Sequence, residues 1–385
     1  MHERQDDPAE EHERADTDQD PHHDLHDVEP APDCAARDRG ATLSFMRVTV
    51  VGAGIVGLAT ADALVRRGHD VTVLEARRPM GARSVGASRI FRLAHGDPAL
   101  VAAAAEARGL WDAWSERAGR PLLGAEGAIV SGPRVDDWAA AMGAAGAAHE
   151  VGDQPSGTLG RTEGPTLRDP AGGALDLAGA GRLLQEALRP VLRPGRVVDL
   201  DELIADAIVL TAGAGTAELA AQVGIEVPAE FCHHVRLAFR LRAPRATVPP
   251  AHLDGTPGPD LASTYQHRTP EGAWAIGGHL PDALTTTGEN SLDEVRRRSR
   301  DAVTAHVAER IPELDPAPVD EVTCTPTAGE GDGVRTARAG NVHVLWGGNL
   351  AKFAPLLGER LAGAVDGDHV AHAIGPPDDP ADHGR

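Results

Sequence analysis

The run Met46-Arg47-Val48-Thr49-Val50-Val51-Gly52-Ala53-Gly54-Ile55-Val56-Gly57, answered by Val71-Thr72-Val73-Leu74-Glu75, decides the fold. It reads as strand, glycine-rich turn, helix, strand and acidic residue, the pattern of a βαβ unit that holds a dinucleotide. Gly52 allows the tight turn, Gly54 lets backbone approach a pyrophosphate, and Gly57 lets the helix pack against the strand. The helix start at Ile55 and Val56 turns unpaired N–H groups and the positive dipole end toward the phosphates. Glu75, followed by Ala76, ends the second strand where its carboxylate can accept hydrogen bonds from ribose hydroxyls. The rival reading, an apolar strand and helix with chance glycines, does not explain why the acid falls in its place. A membrane span through Val48–Val65 is excluded by Gly52, Gly54, Gly57 and Asp62.

Working outward, Leu58, Ala61, Leu64 and Val65 give the helix an apolar stripe that Gly68 closes. Arg77 to His95 reads as a loop with a basic, serine-containing run. An alanine-rich helix is expected over Pro98–Ala118, and residues 119–172 alternate short apolar runs with Gly and Pro. Gly181–Leu192 reads as a helix, Ala207–Gly213 as a buried strand ending in a tight turn, and His234–Arg242 as an alternating antiparallel strand. Ser263–His267 with Ala273–Gly277 reads as a hairpin, and Leu292–Arg310 as an amphipathic helix. Val342–Leu345 is a strand, followed by a glycine turn and a helix over Pro355–Val365. Rossmann-like pieces lie at the start, middle and end with antiparallel material between. The fold class is therefore α/β with α+β elements, a Rossmann-like nucleotide-binding domain interleaved with an antiparallel β-sheet domain. The boundaries expected are 46–93, 173–225 and 321–374 for the first, and 94–172 and 226–320 for the second.

Composition narrows the partners. The 385 residues carry a formal net charge of −21, which argues against nucleic acid or an anionic membrane. Residues 1–45 hold 14 Asp/Glu against 4 Arg, so nearly half of that charge is local to an aperiodic stretch expected to be a disordered acidic tail. A start site placed too early is an equally plain reading, since Met46 directly precedes the first strand. Its five histidines are irregularly spaced, so metal binding there is the weaker alternative and no metal site is expected elsewhere. Residues 375–385 read as a loose Pro/Asp-rich tail. No signal peptide is visible, and Cys34, Cys232 and Cys324 make no disulfide framework, so a cytoplasmic location is expected; the protein is also expected to be a monomer.

Four stretches together resemble the glycine/D-amino-acid oxidase (DAO) superfamily of FAD-dependent oxidoreductases, most closely its monomeric sarcosine oxidase and N-methyltryptophan oxidase branch. They are the fingerprint through Glu75; Ser84-Val85-Gly86-Ala87-Ser88-Arg89-Ile90-Phe91-Arg92, similar to that branch's R-I-x-R loop; Ile208–Gly215, similar to the second FAD-contact strand; and Cys324 followed by Gly348-Asn349-Leu350-Ala351-Lys352-Phe353-Ala354-Pro355, similar to the flavin-linking cysteine and the G-H-G-F-K-F-A-P run. The resemblance covers about residues 46–372. It implies FAD, with Ser84, Ser88, Arg89, Ala212, Gly213, Gly347, Gly348 and Lys352 joining the fingerprint residues as cofactor contacts and Cys324 as a covalent anchor. It implies oxidation of a small amine or N-methyl amino acid, with dioxygen as acceptor. Arg92 and Lys352 would clamp the substrate carboxylate, Arg89 would line the flavin face, and His279 and Tyr265 would belong to the same site. Phe91, Trp274, Trp346 and Phe353 are further pocket candidates.

Two departures stand out. Ala275 replaces the oxygen-activating lysine expected four residues before His279, and the stretch Arg196–Ala207 is shorter than the family's β-hairpin. A flavin dehydrogenase with another acceptor, and a catalytically impaired flavin- or nucleotide-binding relative, are therefore the competing expectations. A nicotinamide dehydrogenase would share only the fingerprint.

Overall fold

The fingerprint folds as its residue types demand. In this computed structural model, which describes residues 45–152, 157–162, 164–256, 258, 261–281, 284–285, 291–327, 332–368 and 373–375, the strand Arg47–Val51 leads through Gly52–Gly54 into the helix Ile55–Arg66 and back along Asp70–Glu75. The readings of the acidic tail to residue 44, of Cys34 and of residues 376–385 fall outside the described residues. Val48, Val50, Val71 and Val73 are buried, as the central strands of a sheet covered on both faces require. Gly52 has φ +101°, and a Cβ there would lie 2.6 Å from Thr211 O. At Gly57 a Cβ would meet Gly52 O at 2.0 Å, so the helix approaches its own loop as only glycine permits.

Seven strands make the nucleotide-side sheet, in the order Ala373–Ile374, Gly333–Ala339, Val342–Gly348, Ala207–Leu210, Arg47–Val51, Asp70–Glu75 and Leu192–Pro194. The last five run parallel and the first two are antiparallel additions. The helices Ile55–Arg66 and Ala354–Asp366 pack so closely that a Cβ on Gly358 would be 2.6 Å from the Ala59 carbonyl carbon. Asp62, a carboxylate inside the first helix's buried face, is satisfied by Arg117 through two contacts of 2.7 and 2.8 Å, as a buried charge must be.

An eight-stranded sheet comes from the intervening chain: Leu314–Cys324, His234–Leu241, Trp274–His279, Ser263–Arg268, Ala251–Asp254, Ala128–Ser131, Thr166–Asp169 and Glu150–Gly152. It is antiparallel except where Ala251–Asp254 runs parallel to Ala128–Ser131. The alternation along His234–Leu241 holds. Val235, Leu237 and Phe239 pack with Trp274 and Ile276 and with Val303 and Val307 of the helix Leu292–Arg310. The opposite face of these strands carries His234, Arg236, Tyr265, His267 and Ala275, and that face builds the site. A two-stranded ladder, Ser88–Phe91 with Gly173–Asp176, lies in chain order between pieces of the two sheets. The interleaved α/β arrangement is thus as the sequence implies.

Local readings needed correction in three places, and a stretch given no reading holds a further strand. The expected loop Arg77–His95 contains the strand Ser88–Phe91, so Arg89 lies on a strand. The helix expected from Gly181 begins at Leu177 and ends at Ala187, because the Asp176 carboxylate accepts from Gly179 N and sets the start four residues earlier. Residues 135–144 form a helix within a region read only as short apolar runs. Leu314–Cys324 is a strand despite Pro316 and Pro318, at the edge of its sheet where a missing N–H costs no ladder bond.

Candidate active site

The dinucleotide end is held by its own side chains. Glu75 accepts from Ala53 N at 2.8 Å and from Arg77 N at 2.9 Å, and Ser84 Oγ accepts from Ile55 N at 3.0 Å. The helix that begins after Gly54 has no side-chain N-cap and no acidic residue in its first turn, so its positive end is left for an anion. Val56 and Gly57 lie in that first turn, and Ala76 follows Glu75. Ala212 lies against Gly52, and Gly213 opens a short 3₁₀ turn after the strand Ala207–Leu210. Gly347 and Gly348 close the neighbouring strand Val342–Gly348.

Further along, the structure collects the remaining candidates into two groups. The first surrounds Cys324. Its Sγ lies 3.8 Å from Tyr265 Oη, which lies 3.1 Å from His234 Nε2. The His279 ring packs 4.9 Å from His234 and 5.5 Å from Tyr265 by centroid. Arg236, which no motif marks, is buried beside them and donates to Ser88 O at 2.9 Å. Arg89 donates to the carbonyls of Ser88, Arg83 and Val85. Among the described residues neither arginine has a carboxylate partner. Desolvation first, and then Arg236, push Arg89 down to about 10. Burial works against a Cys324 thiolate, but His234, Arg236 and Arg89 together hold the thiol at about 5. Burial, then Cys324, raises the Tyr265 phenol above its ordinary value. His267, kept neutral by burial and the same two arginines, reaches Ser88 Oγ at 2.9 Å through Nε2 and leaves Nδ1 without a partner among the described residues.

A cavity of about 260 Å³ lies beside this group, meeting it at Ser88 and Arg236, and is otherwise lined by Thr269, Glu271, Ala275 and Asp320 among others. An isoalloxazine is planar, rich in acceptors, and becomes anionic on reduction. Two guanidinium groups with no carboxylate partner among the described residues, an imidazole nitrogen unpartnered there and a nucleophilic thiol suit such a group. The donor set therefore fits FAD.

The second group surrounds Lys352. Arg92 and Lys352, both buried, converge with His95 on the Asp332 carboxylate. Arg92 Nη2 lies 2.5 Å from Oδ2, His95 Nδ1 2.8 Å from the same oxygen, and Lys352 Nζ 3.5 Å from Oδ1. Asn349 Nδ2 also donates to Oδ1. The Arg92 guanidinium lies 4.6 Å above the Trp138 ring. Burial opposes charge on Asp332, but Arg92, Lys352 and His95 hold its carboxyl well below the usual range. Burial and Arg92 push Lys352 down to about 7 against the pull of Asp332. Burial, Arg92 and Lys352 push His95 to about 3, so its ring is neutral. Arg89 and Arg92, three residues apart, thus belong to different groups. Phe91, Trp274 and Phe353 are core residues, each fully buried.

His95, Trp138, His234, Arg236 and Asp332 were not visible as site residues in the sequence. Asp332 is 240 positions from Arg92, and no local spacing links them. His234 and Arg236 did carry a signal, being polar residues on the outer face of an otherwise apolar alternation.

The chain belongs to the DAO family of FAD dependent oxidoreductases, whose model matches residues 47–364. Its fold is similar to that of NikD, described as an unusual amino acid oxidase essential for nikkomycin biosynthesis, with 24% identity, 88% of this chain and 96% of the other covered, and a TM-score of 0.71. Glycine oxidase from Geobacillus kaustophilus is likewise similar, at 18% identity, 85% and 96% coverage and a TM-score of 0.66. A short stretch of 35 residues is 66% identical to D-amino acid dehydrogenase 2 of Pseudomonas aeruginosa, spanning 9% of this chain and 8% of that protein.

Proposed function

We propose that this FAD-dependent oxidoreductase oxidises the C–N bond of a small amine or amino acid, of the secondary or N-methylated kind, to an imine that water hydrolyses. The amine gives up two electrons and two protons, dioxygen takes them to become hydrogen peroxide, and bound FAD supplies the two-electron carrier between them. The observation that carries this reading is the Cys324 group. A thiol held near 5 beside two arginines without carboxylate partners is the setting for a thioether link to a flavin and for stabilising negative charge on it. Cys324 is proposed as that link. Ser84, Ser88, Gly213 and the fingerprint residues are proposed to hold the rest of the cofactor. Arg92 and Lys352 are proposed as an anion receptor beside the substrate, with Tyr265 and His279 lining the pocket.

The protein is proposed to act as a cytoplasmic monomer, with 46–93, 173–225 and 321–374 as the FAD-binding part and 94–172 and 226–320 as the substrate part. The strand Leu314–Cys324 crosses the boundary at 321, so Cys324 would join the two parts. A second reading, a dehydrogenase using another acceptor, is favoured by Ala275, which brings no cation to the cavity. The test is the absorbance spectrum of purified protein, titrated anaerobically with N-methyl amines and with D- and L-amino acids. A flavin spectrum bleached by an amine supports the proposal, and slow reoxidation in air selects the dehydrogenase. A colourless protein, or a flavin that no amine reduces, would sink it.

A further inference from the structure

The receptor formed by Arg92 and Lys352 already contains an anion, and the anion belongs to the chain. Both oxygens of Asp332 are engaged. Arg92 and His95 are on Oδ2, and Lys352 and Asn349 are on Oδ1. The arrangement is braced from outside. Arg92 rests on Trp138, Trp111 Nε1 fixes the backbone by donating to Lys352 O at 2.7 Å, and Asn349 holds a left-handed turn at φ +53° that an asparagine tolerates. Side-chain exposure is 7% for Arg92, 5% for Lys352 and 14% for Asp332. A second carboxylate entering here would meet donors already in use and a like charge in a site of low dielectric, where such repulsion is weakly screened.

We infer that Asp332 is a specificity-determining residue that fills the anion receptor, so that the substrate is an amine carrying no carboxylate beside the oxidised carbon. This rests on the proposed amine oxidation and narrows its substrate class. Arg92, Lys352 and His95 then serve as positioning residues for the Asp332 carboxylate, and with their charge and donors already taken up the site disfavours an amine that brings a carboxylate of its own.

The experiment has two arms, of which the first does not depend on catalysis. Binding of acetate and formate is measured by thermal shift and calorimetry on the protein as purified and on Asp332→Asn and Asp332→Ala. The native protein should show no saturable binding. Each variant should gain affinity of about tenfold or more, the lower end for recovering a charge-assisted hydrogen bond. Adding Arg92→Met to Asp332→Asn should remove the gain. Because Asp332→Asn keeps shape and volume, it stands in if Asp332→Ala fails to fold. Native binding as tight as in both variants, no gain in either, or a gain that survives Arg92→Met would each overturn the inference.

In the second arm, flavin reduction is followed with pairs of N-methyl amines that differ only in a carboxylate. The native protein should prefer the member without the acid, and Asp332→Asn should shift the ratio toward the acid. A native preference for the acid would contradict the inference. Failure of every amine to reduce the flavin would remove the amine-oxidising reading, while the first arm would still decide whether Asp332 fills the receptor.

Discussion

Two groups of cations, Arg89 with Arg236 and Arg92 with Lys352, are treated in opposite ways. Around Cys324, Arg89 and Arg236 have no carboxylate partner among the described residues, and the thiolate they stabilise offsets only part of their charge. Around Lys352, Arg92 faces Asp332, and the potential is cancelled inside the protein. An uncompensated buried cation is costly unless something binds it. The first group therefore needs an electron-rich partner from outside the chain, while the second is complete. In the proposed function, that contrast separates the part of the site assigned to the cofactor from the part assigned to the substrate.

The largest expected effect falls on the first group. Flavin should stay with the acid-precipitated native protein, and Cys324→Ser should release all of it. Complete extraction of flavin from the native protein would show that the thiol is a bystander. In flavin-free protein the same thiol should still react with iodoacetamide near pH 6, and Arg236→Met should slow that reaction by raising its pKa. The sign follows from the shift. A thiol at 9.0 when unperturbed and about 5 when folded lends stability that is complete above pH 9 and is lost as pH falls toward 5.

Next in size is the reaction of reduced flavin with oxygen. Ala275 lines the cavity that Arg236 also lines. If Arg236 does not act on oxygen, Ala275→Lys should lower the reoxidation barrier by up to ~2.7–4 kcal/mol, the range for one electrostatic stabiliser. Rapid mixing of photoreduced protein with oxygenated buffer measures it. Fast native reoxidation with no gain from the lysine would assign that role to the cations already present.

A smaller effect concerns the scaffold that both groups depend on. Gly57→Ala places a Cβ 2.0 Å from Gly52 O, and should cost ~1–3 kcal/mol of stability as overpacking does. Thermal or urea unfolding of the variant checks it, and an unchanged midpoint would mean that the fingerprint loop yields.

The smallest effect sharpens the second group. In Asp332→Asn the pull that Asp332 exerts on Lys352 is gone, so the lysine should lose its proton below the native value of about 7, and acetate affinity should already fall as pH rises toward 7, leaving Arg92 as the remaining charge beside a neutral His95. An affinity flat from pH 5 to 8 would show that removing Asp332 does not leave Lys352 titrating there. For folding, burial keeps the lysine neutral at lower pH than in the unfolded chain, so this group's contribution to stability rises between pH 7 and 10.5.

What the sequence made legible were features carried by neighbours. The fingerprint, the strand Ala207–Leu210, the helix Pro98–Ala118 and the alternation of His234–Leu241 each announce themselves within a dozen residues, because period and glycine placement act locally. Arg89, Arg92, Cys324 and Lys352 were marked by motif, but their division into two groups was not. It depends on Arg236 and Asp332, which reach them from elsewhere in the chain. The start of the helix at Leu177 was missed because its signal is a single Asp176 cap rather than a period. The edge strand ending at Cys324 was hidden by two prolines that only an edge position tolerates.

The central claim is that the uncompensated cations around Cys324 hold a flavin that an amine reduces. Anaerobic titration of the purified protein with carboxylate-free N-methyl amines, followed by flavin absorbance, tests it most directly. The account predicts a flavin spectrum that bleaches with a saturable rate and persists in acid-precipitated protein. A protein that carries no flavin, or whose flavin stays oxidised against every amine and amino acid offered, would contradict it.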